Sequence, residues 1–318
     1  MTRRICLLGG TGFIGGHLTT RLANDGWRVR LLTRSAARHK ELSVLPTVRL
    51  LSGNVYDANF LARHIDGCDA VVNLVGILNE SGRDGSGFER AHVELAGKVV
   101  AACQQTGVSR LLHMSALKAD ADNGPSHYLR SKGKAEVLVR RAQGMNVTAF
   151  QPSVVFGPDD TFVNRFAGLL RLPSPIFPLP RANSRFQPVY VGDVVDAFVT
   201  ALDDPETYGK VYQLCGPDVY SLRELIELIA KSMGVRRRVV AVPDGIARIQ
   251  AFFMDFVPTK PFSTDNFQSL AVNSICDKNG FERLGLQPHS SRALIPRMLR
   301  HDSWRGRLDT YRSRHGQP

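Results

Sequence analysis

Long apolar runs are missing from this chain. No stretch approaches the ~20 residues that cross a bilayer as a helix. The longest clean one, AVVNLVGIL at residues 70–78, has the length of a strand. Cysteine is sparse and odd in number, with Cys6, Cys68, Cys103, Cys215 and Cys276 scattered, no CxxC pair and no Cys/His group at metal-ligand spacing. That excludes a disulfide-dense scaffold and a zinc site, and no metal is expected. Most of these cysteines sit in apolar segments, so buried free thiols in a reducing, cytoplasmic setting are expected. Nothing resembles a signal peptide, because residues 1–10 run straight into strand-like sequence. Acids are also in deficit: 29 Asp and Glu stand against 41 Lys and Arg, a net charge of +12. No nucleic-acid fold signature accompanies that excess, so no nucleic-acid partner is expected. Part of it is local, since residues 297–318 hold six Arg against two Asp. The reading is a solvated basic tail, with a contact to a membrane surface or a protein as the alternative.

What is there has the balance of an ordinary globular protein, with 43% apolar and 22% charged residues among 318. The first half alternates. Strand-like runs occupy 3–10, 28–33, 48–53, 70–76, 110–116 and 146–153. Helical patterns occupy 13–25, 57–65, 88–106 and 126–143. The strands are continuous apolar runs, as parallel strands read when helices cover both faces. The pattern predicts an α/β fold with a doubly wound parallel sheet. The rhythm breaks after residue 154. Residues 171–188, with five prolines, are expected to form no regular element. A strand–helix pattern resumes from 189 to 216, and SLRELIELIAKSMG (221–234) reads as a capped amphipathic helix followed by the strand-like RRVVAVP. The expected organisation is a Rossmann domain of residues 1–154 plus 186–216, with a smaller, discontinuous C-terminal substrate domain of 155–185 plus 217–318 that carries the basic tail.

LLGGTGFIGGHL (7–18) places Gly9, Gly12 and Gly15 between a strand and a helix. The first glycine permits a tight turn, the second lets backbone approach a pyrophosphate, and the third lets helix and strand pack closely. The loop and helix N-terminus, through Gly9, Thr11, Gly12, Phe13, Ile14 and Gly15, then present N–H groups and a positive dipole end to a dinucleotide. The next strand ends LLTRSAAR, with no acid to grip a ribose 2′-hydroxyl. Arg34 and Arg38 stand there, and guanidinium suits a 2′-phosphate. NADP(H) is therefore expected as cofactor, with NAD as the alternative.

SHYLRSKGKAE places Tyr128 and Lys132 four residues apart, on one face of a helix. A phenol has a pKa of ~10, and an ammonium beside it is expected to lower that value and make it useful in proton transfer. Ser115 ends a strand, where a hydroxyl can hold a substrate carbonyl.

Together, GGTGFIG, Ser115 and Tyr-xxx-Lys resemble the short-chain dehydrogenase/reductase superfamily. The long C-terminal part resembles its extended or atypical branch, the NAD-dependent epimerase/dehydratase type. The segment from FERAHVELAGK to Glu136 is similar to the subfamily of the nucleotide-binding accessory subunit of respiratory complex I; His113, Ser115, Tyr128, Arg130 and Lys132 fill its motif, with Leu112 where that subfamily often has Val. The resemblance implies that Tyr128 passes the proton, that Lys132 bonds the nicotinamide ribose and tunes Tyr128, and that Ser115 orients the substrate. It implies cofactor contacts from Asn54 and Val55 at the adenine, Val75 and Gly76 near the ribose, and Pro152 and Val155 around the nicotinamide. Asn54 departs from the usual Asp. Relatives associated with ubiquinone synthesis suggest a quinone-related carbonyl substrate, and pairing of helices 88–106 and 126–143 in many relatives leaves an oligomer open.

The implied activity is NADP(H)-dependent oxidoreduction of a small, apolar molecule. The alternative is a non-catalytic, NADPH-binding structural or assembly subunit of a respiratory or ubiquinone-synthesis complex, peripheral at the inner face of the membrane. Asp193 and Asp196 read as helix N-terminal charges. His92 reads equally as structural or functional. The phenylalanine-rich residues 244–270 read either as packing of the small domain or as a greasy mouth or membrane patch.

Overall fold

The computed structural model describes residues 3–256 and 262–301. The basic segment 302–318 lies outside the described residues. The chain is α/β, with a seven-stranded parallel sheet. Its strands are β1 (Arg4–Leu8), β2 (Arg28–Thr33), β3 (Val48–Ser52), β4 (Ala70–Asn73), β5 (Arg110–Met114), β6 (Asn146–Pro152) and β7 (Val211–Leu214). They lie in the order β7-β6-β5-β4-β1-β2-β3, every neighbour parallel. This is the Rossmann order, extended by one strand, with the order reversing between β1 and β4.

The two faces are visible in β1. Ile5 and Leu7 point into a core built with Leu18 and Leu22 of α1 (Phe13–Asn24), and Cys6 and Leu8 point the other way, toward Leu61 and Ile65 of α2 (Ala58–Ile65). The same second core takes Leu95 and Val99 of α3 (Leu95–Thr106) and Ala135 and Val139 of α4 (His127–Arg140). A π-wound turn, Glu89–Glu94, leads into α3. A third cluster joins α5 (Val163–Leu170) to α7 (Leu222–Ser232) through Val163, Leu170, Leu225 and Ile229. Between them in sequence, α6 (Val191–Asp203) covers the first core with Val194 and Phe198. Asp193 does lie in the first turn of α6, but its carboxylate takes the His289 N–H at 2.7 Å. Asp196 instead ties α6 to α1 through Arg21 at 2.5 Å.

Two expectations are overturned. The proline-rich stretch contains a strand, Ile176–Pro180, paired in parallel with Arg238–Val242. The Arg238 N–H donates to the Pro175 carbonyl at 3.1 Å. In a parallel ladder alternate residues face the partner, so Pro178 and Pro180 turn away, where no N–H is needed. The thiols are not all free: Cys215, next to the end of β7, is disulfide-bonded to Cys276 across 61 residues, with Cα atoms 6.1 Å apart. The support for a reducing compartment drawn from unpaired thiols goes with it. Cys6, Cys68 and Cys103 are buried and free. Cross-linking a loop this long stabilises a fold by about 2–4 kcal/mol. Cys276→Ser should therefore lower the unfolding free energy of oxidised protein by that amount in a denaturant titration, and reductant should bring wild type to the same value without moving the variant.

Candidate active site and nucleotide cradle

The glycine loop is shaped by close approach of backbone. Gly9 has φ +77°, and a Cβ there would meet the Leu74 carbonyl carbon at 2.9 Å. A Cβ on Gly15 would lie 2.2 Å from the Gly9 carbonyl oxygen, so any side chain breaks the loop. Gly12 differs: it is exposed, and its nearest neighbour would be the Gly9 oxygen at 3.3 Å. Gly12 opens α1 with no side-chain cap on the helix N-terminus. Asp57 caps α2 and a Ser221–Glu224 capping box opens α7, whereas α6, like α1, has no side-chain cap. The first-turn N–H groups of α1, around Phe13 and Ile14, are thus left facing the bare glycine surface, as an anion requires. Thr11 is half-buried in the same turn.

Thr33 is buried at the carboxyl end of β2, and Arg34 and Arg38 are both exposed beyond it. The Asn54 side chain accepts from the Tyr56 N–H at 3.0 Å, folding its own loop. Val55 packs against the second core. Neither shows an orientation toward a base beyond lying at the end of β3.

The ends of β4 and β5 form the centre. Asn73 is buried; its Oδ1 accepts from the Val75 N–H at 3.1 Å and so fixes the Val75–Gly76 turn. A Cβ on Gly76 would stand 3.0 Å from Lys132 Nζ, so bare backbone covers the ammonium. Ser115, just past β5, is buried, and its hydroxyl has no protein partner. His113 is buried two residues before, with Nε2 likewise unpartnered. Buried polar atoms normally find partners; two orphans side by side on one strand end fit a site completed by bound molecules. At the far wall, Pro152 and Val155 are half-buried, and a Cβ on Gly157 would meet the Phe13 ring at 3.3 Å, which sets this loop against the tip of α1.

Tyr128 and Lys132 project from the first turns of α4. Lys132 is buried and donates to the Met114 carbonyl at 3.0 Å. Burial pushes its ammonium down to about 8. The Tyr128 ring meets His92 and Phe88 edge-on, with centroids 5.7 and 6.1 Å away. The Tyr-xxx-Lys spacing predicted a lowered phenol, and the structure overturns that. Burial, and then the charge of Asp265, push it up to about 12. The ammonium is turned to a backbone carbonyl, and the charge that bears on the phenol is a carboxylate.

Sequence reasoning missed Asp265. It lies on α9 (Thr264–Ser269), and its carboxylate accepts from the His127 and Tyr128 N–H groups at 2.7 and 3.3 Å. Ser126 caps α4 by accepting from the Leu129 N–H at 3.1 Å. The N-terminus of the helix that carries Tyr128 is therefore completed from a distant segment. Lys118 was also missed: three residues after Ser115, with φ +60°, it donates to both Asp277 oxygens at 2.7 Å and clips that loop to the chain beside Cys276. His92 resolves as a hub. Its Nε2 accepts from the Ile77 N–H at 3.1 Å and its Nδ1 meets Ser131 Oγ at 2.8 Å. Burial and the Lys132 charge hold it down to about 2, so it stays neutral. Among the described residues no cluster of His, Cys, Asp and Glu could hold a metal, and no helix is long and apolar enough to cross a membrane.

Comparison with known proteins places these features. The model of the NAD dependent epimerase/dehydratase family matches residues 5–215. The chain is 31% identical over 300 residues to NADH dehydrogenase (ubiquinone) 1 alpha subcomplex subunit 9, mitochondrial, of Arabidopsis thaliana, covering 89% of this chain and 74% of the relative. It is 28% identical to the ceramide reductase of Caulobacter vibrioides, over 76% of this chain and 74% of that one. The structure superposes on dTDP-glucose 4,6-dehydratase from Streptomyces venezuelae, solved with NAD bound, with a TM-score of 0.74, 22% identity and coverage of 95% and 98%.

Proposed function

The chain belongs to the NAD dependent epimerase/dehydratase family, and on that premise we propose that it is an NADP(H)-dependent oxidoreductase reducing the carbonyl of an apolar, quinone-related molecule. The observation that carries this reading is the buried, unpartnered Ser115 hydroxyl at the end of β5, beside the Tyr128–Lys132 helix and across from an uncapped glycine loop. The glycine loop would hold the diphosphate, Arg34 and Arg38 the 2′-phosphate, and the Asn54, Val55, Val75, Gly76, Pro152 and Val155 positions the remaining walls. NADPH, when bound, supplies a hydride. Ser115 donates a hydrogen bond to the carbonyl oxygen and orients it. Tyr128 gives that oxygen a proton as charge develops. A phenol held up to about 12 is fully protonated at neutral pH, which favours the reducing direction. Lys132, pushed to about 8, is mostly charged there; it steadies the carboxyl end of β5 and would bond the nicotinamide ribose of the bound cofactor. The test is to load the protein with NADPH, add short-chain quinone-type and ketone carbonyls, and follow loss of NADPH absorbance. No oxidation with any of them, against tight NADPH binding, would reject the reading.

Cofactor preference has its own test. Arg34→Ala should weaken NADPH by about 1.5–3 kcal/mol, the cost of a lost charged hydrogen bond, and NADH hardly at all. Equal losses in titrations with the two nucleotides would show that Arg34 does not read a phosphate.

One observation favours a second reading. The similarity to a respiratory-complex subunit spans 89% of the chain. Under it, the protein is an accessory subunit in which bound NADPH stabilises the fold without turnover.

A further inference from the structure

The loop that leaves α5 shows apolar side chains to solvent. Leu172 is 58% exposed and Ile176 49%, with Pro173 and Pro175 exposed between them. Arg236, Arg237 and Arg238 form a row against this loop. Arg237 donates to the Leu172 carbonyl at 3.1 Å, and Arg238 stands opposite Ile176 in the parallel pair of strands. Side chains in register across a parallel pair leave it on the same side. Val240, two residues on, joins that side and is 40% exposed. The other side is already used: Val239 and Leu179 are buried in the third cluster.

The charge of this face is one-sided. Residues 168–180 and 223–243 hold six Arg and Lys against two acids, Glu224 and Glu227, a net of +4. Asp244, which opens α8 (Asp244–Met254) just beyond, pairs with Arg181 at 3.0 Å, and that pair is neutral. α10 (Ser291–His301), packed against α7, brings Arg292, which Asp218 offsets, and the exposed Arg297. Among the described residues, Arg171, Lys231, Arg236, Arg237 and Arg238 form no ion pair.

This excess limits what can cover the loop. A second copy would set like charge against like, and residues 302–318, with four Arg against two Asp, carry the same sign. Nucleic acid would answer the arginines and leave Leu172 and Ile176 without a partner. The one aromatic ring in these two segments, Phe177, is half-buried in the third cluster and offers no platform for a base. A protein would need carboxylates at fixed places opposite side chains that nothing holds in place. An anionic bilayer supplies mobile phosphates for the cations and an apolar boundary for the loop. We propose that residues 169–176 and the Arg236–Arg238 row dock the protein on an anionic phospholipid surface, with Leu172 and Ile176 entering the headgroup layer. Docking of this kind is independent of NADPH turnover.

The test is flotation of the full chain with vesicles of phosphatidylcholine alone, or of phosphatidylcholine and phosphatidylglycerol in equal parts. Wild type should float with the anionic vesicles at least about tenfold better than with the neutral ones, and added salt should release it. R236E/R238E should lose at least about thirtyfold in that binding, and L172S about tenfold. All three side chains are exposed, so both variants should keep the circular dichroism of wild type. Wild type that does not float, or that floats equally with both kinds of vesicle, overturns the proposal. Either variant floating as well as wild type also overturns it; for R236E/R238E, which keeps residues 302–318, that result would assign the binding to another part of the chain. So does wild type that binds a short DNA duplex and no vesicles. NADPH binding and oxidation are measured separately, so each of these results leaves the oxidoreductase reading standing, and a failure of turnover leaves the docking standing.

Discussion

Tyr128→Phe should lower turnover by roughly 10²–10⁴-fold while leaving NADPH affinity nearly unchanged. The substitution removes one oxygen and keeps the ring, so the edge-on contacts with His92 and Phe88 survive. Phenylalanine has no proton to give, and the phenol it replaces, held up to about 12, carries one throughout the neutral range. Lys132→Met should behave differently. Its ammonium holds the Met114 carbonyl and lies under Gly76, so both cofactor affinity and turnover should fall. Before a substrate is known, complementation reads the same question: a deletion strain rescued by wild type should not be rescued by Tyr128→Phe. Full rescue by Tyr128→Phe, with failure of a variant that cannot bind nucleotide, would favour the accessory-subunit reading.

That second variant is Gly12→Asp, and it should abolish nucleotide binding in a folded protein. The two neighbouring glycines explain why it is the right choice. At Gly15 a Cβ would sit 2.2 Å from a carbonyl oxygen, so a side chain there damages loop and binding together. At Gly12 the position is exposed and the nearest atom, the Gly9 carbonyl oxygen, is at 3.3 Å, so a side chain asks only a few tenths of an ångström of the loop. What it does is put a carboxylate over the uncapped N-terminus of α1. Two like charges about 4 Å apart repel by about 4 kcal/mol at an effective dielectric constant of about 20, close to a thousandfold in affinity. Calorimetric titration with NADPH measures the loss, and circular dichroism confirms the fold. Unchanged affinity would remove the glycine loop from the cofactor site.

Both predictions concern residues that could be picked out from local spacing alone. Gly9, Gly12 and Gly15 fall within seven positions, and Tyr128 and Lys132 are one helical turn apart, so neighbours along the chain are neighbours in space. The sheet was legible for a similar reason: the inner strands β1, β4 and β5 bury both faces, which leaves unbroken apolar runs. What stayed hidden is what the chain brings together from afar. The Cys215–Cys276 bond closes 61 residues. Asp265 caps an N–H group 138 residues earlier in the chain. The state of the Tyr128 phenol followed from burial and from that distant carboxylate, neither of which the Tyr-xxx-Lys spacing contains. Pro178 and Pro180 argued against a strand until their two-residue period could be set against a partner.

The Asp265 cap has a thermodynamic corollary. α9 is held to α4 by that carboxylate and by Ser269, whose hydroxyl donates to Ser126 at 2.8 Å. It is held to the loop after β4 by Asn266, which donates to the Leu78 carbonyl at 3.2 Å. Seating of this segment and ordering of the first turn around Tyr128 are thus one equilibrium rather than two. Any molecule that binds only the seated form strengthens the cap, and by reciprocity whatever weakens the cap weakens that molecule by the same factor. The coupling free energy between the two can be read from a double-mutant cycle without knowing which end moves first.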